Sequence, residues 1–408
     1  MKWKMKNLYT FLIVLVIIFL GSCNKAERTS DNNPAAVSET PTVTSAINSP
    51  TEETTVQSEQ SDESPASNTE KKDGSIYPYD DIRAFYYKRT VNEDKYKVED
   101  IYTFTFNEGT VLMGNEKLQE EIMNNGKNPG LGIRKLHEEG ITGKGINVAI
   151  IDQNLLLHHP EFDGKIAGYY DTGCGQPEDS GSMHAPAVTS ILVGNTIGVA
   201  PDSKVYFAAA PSWNGDSEFY AKGLYWIIEE NKKLPEGEKI RVVSVSAAPS
   251  GTGSPFTKNL NMWDEAVLAA QDEGILVLDC RGDKKDTGII APAFYNPEDP
   301  ENVSMCTGGF PTSKMVISSS HIGVPTSYRT VAEEYTEGSP SYQYTGQGGL
   351  SWGIPYAAGV LALGWQINPS LDNAQIVQIL FDTCSIANDG SNIINPIAFI
   401  DAVKKTTE

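Results

Sequence analysis

Apolar positions are spread unevenly along the chain, and their spacing divides it into stretches of different character. Leu12 to Leu20 is an almost unbroken apolar run. From Asn24 to Ser75 there is no aromatic residue, and Ser, Thr, Glu, Asn and Pro dominate. Aromatics return at Tyr77, and the alternation Ile101-Tyr102-Thr103-Phe104-Thr105-Phe106 predicts a strand, followed by a helix around Leu118 to Met123. From Leu131 onward strands and helices alternate. Helices are predicted over Leu131–Glu139 (ended by Gly140), His184–Val193, Ser217–Glu230 and Asn261–Glu273. Strands are predicted over Ile146–Ile151, Val205–Ala209, Arg241–Ser246 and Ile275–Leu278. Near-continuous apolar strands alternating with helices predict an α/β architecture: a mainly parallel sheet covered by helices on both faces. Reactive groups in such sheets collect at the carboxyl ends of the strands, where Asp152 already stands.

The first stretch has the anatomy of an export signal. Lys2, Lys4 and Lys6 precede the apolar run, which is too short to span a bilayer as a mature helix, and Gly21, Ser22 and Cys23 follow it. Leu20-Gly21-Ser22-Cys23 resembles the lipobox of bacterial lipoproteins, in which cleavage precedes an acylated cysteine. The resemblance implies a lipid anchor on Cys23 and an extracytoplasmic location at the bacterial cell membrane. Residues 1–22 are then the signal and 23–75 a disordered polar tether, since such a tract cannot bury enough apolar surface to offset its ordering entropy. Residues 76–126 read as either a short pro-segment or a retained N-terminal extension, and 127–408 as the main domain, long enough to bury a full core. A net charge of −21 excludes nucleic acid as a partner, because its phosphates would be repelled. The remaining cysteines, Cys174, Cys280, Cys306 and Cys384, match no zinc spacing and allow either disulfides or buried thiols.

The main candidate for chemistry is the run from Gly349 to Gly359, in which Ser351 follows a glycine-rich loop and opens a helix of small residues. A hydroxyl there meets unpaired N–H groups and the positive end of the helix dipole, which stabilise developing negative charge. Pro355 is expected in the first turn, where its missing N–H costs nothing. The same run satisfies the Gly-x-Ser-x-Gly elbow of α/β-hydrolases, but that fold orders its triad Ser, Asp, His. No histidine follows Ser351, the last being His321. In the other direction, Asp152 precedes His184, and Ser351 comes later; Asp, His, Ser is the subtilisin order.

Five motifs then resemble those of subtilases, in sequence and in order. Gly143-Lys144-Gly145-Ile146-Asn147-Val148-Ala149-Ile150-Ile151-Asp152 is similar to the strand that carries the family's aspartate. His159-Pro160-Glu161-Phe162, His184-Ala185-Pro186-Ala187-Val188-Thr189-Ser190, Gly198-Val199-Ala200-Pro201 and the Ser351 run follow. The resemblance covers roughly Leu131 to Val403. It implies a subtilisin-like three-layer sandwich and a monomeric serine endopeptidase acting on polypeptides, with Asp152, His184 and Ser351 as triad. Ser246, Ala247 and Ala248 would align an extended substrate. No cofactor is implied, and no metal site is carried over, because the segment between Ser190 and Gly198 is shorter than the calcium-binding loop of many subtilases. One departure concerns the oxyanion asparagine, whose position is filled by Asp283; a convertase branch of the family also carries aspartate there. An ionised Asp283 would repel an oxyanion, whereas burial that raised its pKa would let it donate, giving modest or acid-favoured activity. Gln153-Asn154 and Trp352 are further departures. They leave open a catalytically weak or silent domain that binds peptides or cell-surface proteins.

Overall fold

The structure is a computed structural model that describes residues 74–85, 87–175 and 181–407. All of these lie in one compact unit, Ser61–Glu408; the other, Met1–Gln60, falls outside the described residues, as do the signal, Cys23 and nearly all of the tether.

In chain order, the N-terminal segment supplies strand β1 (Thr105–Asn107) and helix α1 (Glu116–Asn125). The main domain follows with β2 (Asn147–Asp152), β3 (Ile166–Asp171), α2 (His184–Val193), β4 (Lys204–Ala209), α3 (Ser217–Lys233), β5 (Ile240–Val245), α4 (Leu260–Asp272), β6 (Leu276–Asp279), β7 (Arg329–Glu333), β8 (Ser341–Thr345) and α5 (Leu350–Ile367). Strands β2 to β6 form a five-stranded, wholly parallel sheet in the order β3-β4-β2-β5-β6.

The expected coverage of both faces is what the side chains show. Ala149 and Ile151 of β2 pack with Leu224 of α3 and Trp263 of α4 on one face, whereas Val148 and Ile150 pack with Ile191 of α2 and Val360 of α5 on the other. Period-2 alternation between two dry faces is why β2 reads as a continuous apolar run. Gly359 lets α5 approach the turn after α2, since a Cβ there would sit 2.6 Å from the Cβ of Val199. Strand β2 occupies the centre, with β3 and β4 to one side and β5 and β6 to the other. The chain runs from β2 out to β3, back to β4 and then past β2 to β5 on the other side, and such a change of direction opens a crevice at the carboxyl ends.

A second, three-stranded sheet has the order β7-β8-β1, so the N-terminal segment pairs with a strand, β8, more than two hundred residues later. The alternating run 101–106 differs from its expectation. Val98–Thr103 is a 3₁₀ helix, and only Thr105–Asn107 is strand. Ile101 and Phe104 are both buried, and their spacing of three residues places them on one side of a 3₁₀ turn as readily as alternation places Phe104 and Phe106 in a strand.

Candidate active site

Asp152 ends β2 with its carboxylate almost completely buried (2% exposed). His184 is the first residue of α2, and the hydroxyl of Ser182 accepts the Ala185 N–H to hold that helix start. The two side chains meet: His184 Nδ1 lies 2.8 and 2.9 Å from the two oxygens of Asp152. One of those oxygens also accepts the N–H of Gln153, which fixes the carboxylate's orientation.

Ser351 stands in the first turn of α5, after Gly349 as N-cap. Two hydrogen bonds join it to Ser246, just beyond the carboxyl end of β5. The Ser351 hydroxyl donates to the Ser246 carbonyl at 3.2 Å, and the Ser246 hydroxyl donates to the Ser351 carbonyl at 2.8 Å. The second bond has a cause that corrects the sequence reading of Pro355. That proline lies inside α5 rather than in its first turn. Its missing N–H leaves the carbonyl four residues earlier, that of Ser351, without a helical donor. The hydroxyl of Ser246 fills the gap. Trp352, the next residue, brings its indole to 5.3 Å from the His184 ring, tilted by 31°. Its Nε1 is buried with no hydrogen-bond partner among the described residues.

Beyond Ser246, the carbonyl of Ala247 accepts from the Cys280 N–H, and that of Ala248 from the Ser254 hydroxyl. Asp283 is exposed and accepts the Thr252 N–H at 2.8 Å; that bond holds its carboxyl below the ordinary range. The burial that would have protonated Asp283 near neutral pH is therefore lacking, and the side chain is a carboxylate. The contact needs Gly251, whose Cβ would lie 2.6 Å from the Asp283 carboxylate and whose φ is +92°.

Pattern reading missed what anchors this loop. Arg281, almost fully buried, donates to Asp279 at 2.6 Å, to Ser250 at 2.8 Å, to Thr287 at 3.1 Å and also to Asp264. Burial pushes the Asp279 carboxyl up, with Arg281 opposing. The guanidinium thus has four acceptors, two of them carboxylates, which offset the desolvation cost of burying an arginine.

The other histidines are structural. His159 is fully buried, accepts the Glu161 N–H and stacks on Phe162. His137 contacts the Val199 carbonyl, and exposed His158 pairs with Asp163. Cys174, Cys306 and Cys384 are free thiols that burial pushes up to about 12. Among the described residues no group of three or more His, Cys, Asp or Glu side chains is arranged to hold a metal ion.

Comparison with known proteins gives the chain a family. The profile described as Subtilase family matches residues 143–395, more than half of the chain. The chain belongs to the subtilase family. As a subtilase it is a hydrolase of the serine-endopeptidase type. Subtilisin NAT of Bacillus subtilis subsp. natto is 24% identical over 271 residues, 64% of this chain and 67% of the relative. Subtilisin Savinase of Lederbergia lenta is 26% identical over 64% of this chain and 92% of its own length. Among solved structures, one described as the structural basis of subtilase cytotoxin SubAB assembly superposes with a TM-score of 0.52 at 14% identity, covering 68% of this chain and 96% of that one. At that identity the likeness speaks for the fold.

Proposed function

We propose that this subtilase cleaves polypeptides outside the cell through an acyl-enzyme on Ser351, with His184 as general base and Asp152 as its orienting carboxylate. The observation that carries the reading is the contact between His184 Nδ1 and both Asp152 oxygens at the carboxyl end of the central strand. A carboxylate on Nδ1 keeps the proton on that nitrogen and leaves Nε2 with the lone pair that removes a hydroxyl proton. The Ser351 hydroxyl would leave the Ser246 carbonyl and attack the scissile carbonyl as its proton passes to His184; His184 would give that proton to the leaving amine, and a water deprotonated by His184 would then hydrolyse the acyl-enzyme and restore Ser351.

The oxyanion would be received by N–H groups at the start of α5, which lack helical acceptors. Asp283, being ionised, is no donor, so turnover is expected to be modest at neutral pH. An extended substrate pairing along Ser246 to Ala248 would displace the Ser351 and Ser254 hydroxyls from the carbonyls they now occupy.

Cys23 would carry the acyl chains, with the polar tract behind it as spacer; the lipobox-like run Leu20 to Cys23 supports this. The test uses the full chain with fluorescently labelled casein. Hydrolysis that vanishes in Ser351→Ala supports the peptidase reading, and equal hydrolysis by the variant removes it. Membrane fractionation of Cys23→Ser tests the anchor: release into the medium is expected, and retention on the membrane would contradict it.

The departure at Asp283 favours one other reading, a subtilase domain that binds peptides without cutting them. Peptide binding by folded protein that neither hydrolyses casein nor reacts with serine-directed probes would establish it.

A further inference from the structure

The N-terminal segment is tied to the helix that carries His184 by a chain of short, buried contacts. Strand β1 pairs antiparallel with β8, setting Asn107 opposite Gln343, and β8 pairs with β7. Strand β7 ends at Glu333, whose carboxylate is 1% exposed. One of its oxygens accepts from Asn107 Nδ2 at 2.8 Å, and the other accepts the Tyr335 hydroxyl at 3.1 Å. Arg83, also buried, grips Asp81 through Nε and a terminal nitrogen and gives the other terminal nitrogen to Gln343 at 2.6 Å, 4.0 Å from Glu333. Thus two residues of the N-terminal segment, Asn107 and Arg83, supply a donor and the nearby positive charge that a buried carboxylate requires.

The far side of the network reaches the candidate base. The Tyr335 carbonyl accepts the Gly181 N–H at 3.0 Å, three residues before His184. Six residues beyond His184, the buried Ser190 hydroxyl accepts the Ala332 N–H of β7 at 3.0 Å. The chain just before His184 is thus tied to Tyr335, two residues past the end of β7, and the helix beyond His184 is tied to β7 itself. Apolar packing adds to the attachment: Ile82, Phe104, Phe106, Leu112 and Ile122 form one buried cluster with Tyr344 of β8.

We infer that the segment Gly74–Asn125 is a retained positioning element for His184, acting through Glu333 and Tyr335, rather than a piece whose removal activates the enzyme. This rests on the reading of His184 as general base. Arg83, Asn107, Glu333 and Tyr335 touch no reacting atom; they are positioning residues. Loosening Glu333 frees Tyr335, and with it the backbone that seats Gly181 and the start of α2. An imidazole that strays from Asp152 then holds its proton less tightly.

The test measures the rate of labelling of full-length Arg83→Met and Tyr335→Phe by a fluorophosphonate probe, as a function of pH, at a temperature where far-UV circular dichroism shows both folded. Labelling is expected to fall tenfold or more in Arg83→Met and threefold or more in Tyr335→Phe. KM for a peptide substrate should change less than twofold, and the acid limb of the pH profile should move to lower pH. A lowered melting temperature with labelling rate and pH profile unchanged would overturn the inference, since it would reduce the network to a purely structural role. If Arg83→Met does not fold, Tyr335→Phe, which retains the ring and the backbone carbonyl, decides alone. Wild-type labelling speed in His184→Ala would instead sink the reading of the base, an outcome separate from either result above.

Discussion

Replacing Asp152 by asparagine removes one charge while preserving shape. The Asn Oδ1 can still accept the Gln153 N–H now bound at 2.8 Å, so the fold should hold to within about 1 kcal/mol. What changes is the partner of His184. The carboxylate offers two acceptors to Nδ1, at 2.8 and 2.9 Å; the amide offers one acceptor and one donor, so the wrong tautomer becomes accessible. It also removes the counter-charge for the imidazolium formed in the transition state. At an effective dielectric constant of about 20, unit charges 2.8 Å apart attract by roughly 6 kcal/mol. Each 1.36 kcal/mol is tenfold in rate, giving a loss on the order of 10⁴, the same order as in the Ser-His-Asp template. The assay is hydrolysis of a peptide substrate under kcat/KM conditions, with circular dichroism as the folding control. A folded Asp152→Asn enzyme slowed less than tenfold would refute the role assigned to the pair.

Three further outcomes follow from the geometry. Asp283→Asn should keep the Thr252 N–H contact through its oxygen and gain an N–H₂ group able to donate, raising neutral-pH turnover by up to about 10²; an unchanged or lower rate would exclude an oxyanion role for this position. Trp352→Leu takes the indole from beside the His184 ring, where its face favours a cation by about 0.5–2 kcal/mol. The acid limb of the pH–rate profile should move down by about 0.4–1.5 pH units, and Trp352→Phe should retain part of the effect; an unmoved limb in the leucine variant refutes it. Lys165 donates to the Val193 and Pro201 carbonyls at 2.5 and 2.7 Å, and burial pulls its pKa down to about 8. An unfolded lysine titrates near about 10.4, so between these values the unfolded chain holds more protons and stability rises with pH. The melting temperature should climb from about pH 8 to 10 in the wild type and lose that slope in Lys165→Met; equal slopes would contradict the burial.

Local patterns made much of the main domain legible. The helix over His184–Val193 was expected with those bounds, and β2 differs from its expectation by one residue at each end. Both are dominated by apolar residues whose two-faced or all-round burial leaves little ambiguity. The proximity of Asp152 to His184 came through the resemblance to subtilases and their Asp, His, Ser order; the structure sets the one at the end of β2 and the other at the start of α2.

What stayed hidden depends on long-range pairing or on which atom a short side chain reaches. Nothing in Thr105-Phe106-Asn107 announces that it will pair with a strand beyond residue 340. Ser246 looked like a backbone position, yet its hydroxyl caps the carbonyl that Pro355 strips of its helical donor. Asp283 was placed by likeness to the family's asparagine, but its exposure and the N–H of Thr252, contributed by a separate loop, favour its ionised form. Glu333 and Arg83 are charged residues that composition alone assigns to the surface; only the packed sheet puts them inside.

The central claim is that Ser351 is a nucleophile activated by His184. The most direct measurement is peptide mapping by mass spectrometry after exposure of the folded full-length protein to a fluorophosphonate probe. One adduct on the peptide containing Ser351 is predicted, absent in Ser351→Ala and strongly reduced in His184→Ala. Folded protein that gains no adduct, or gains it on another residue, would contradict the account.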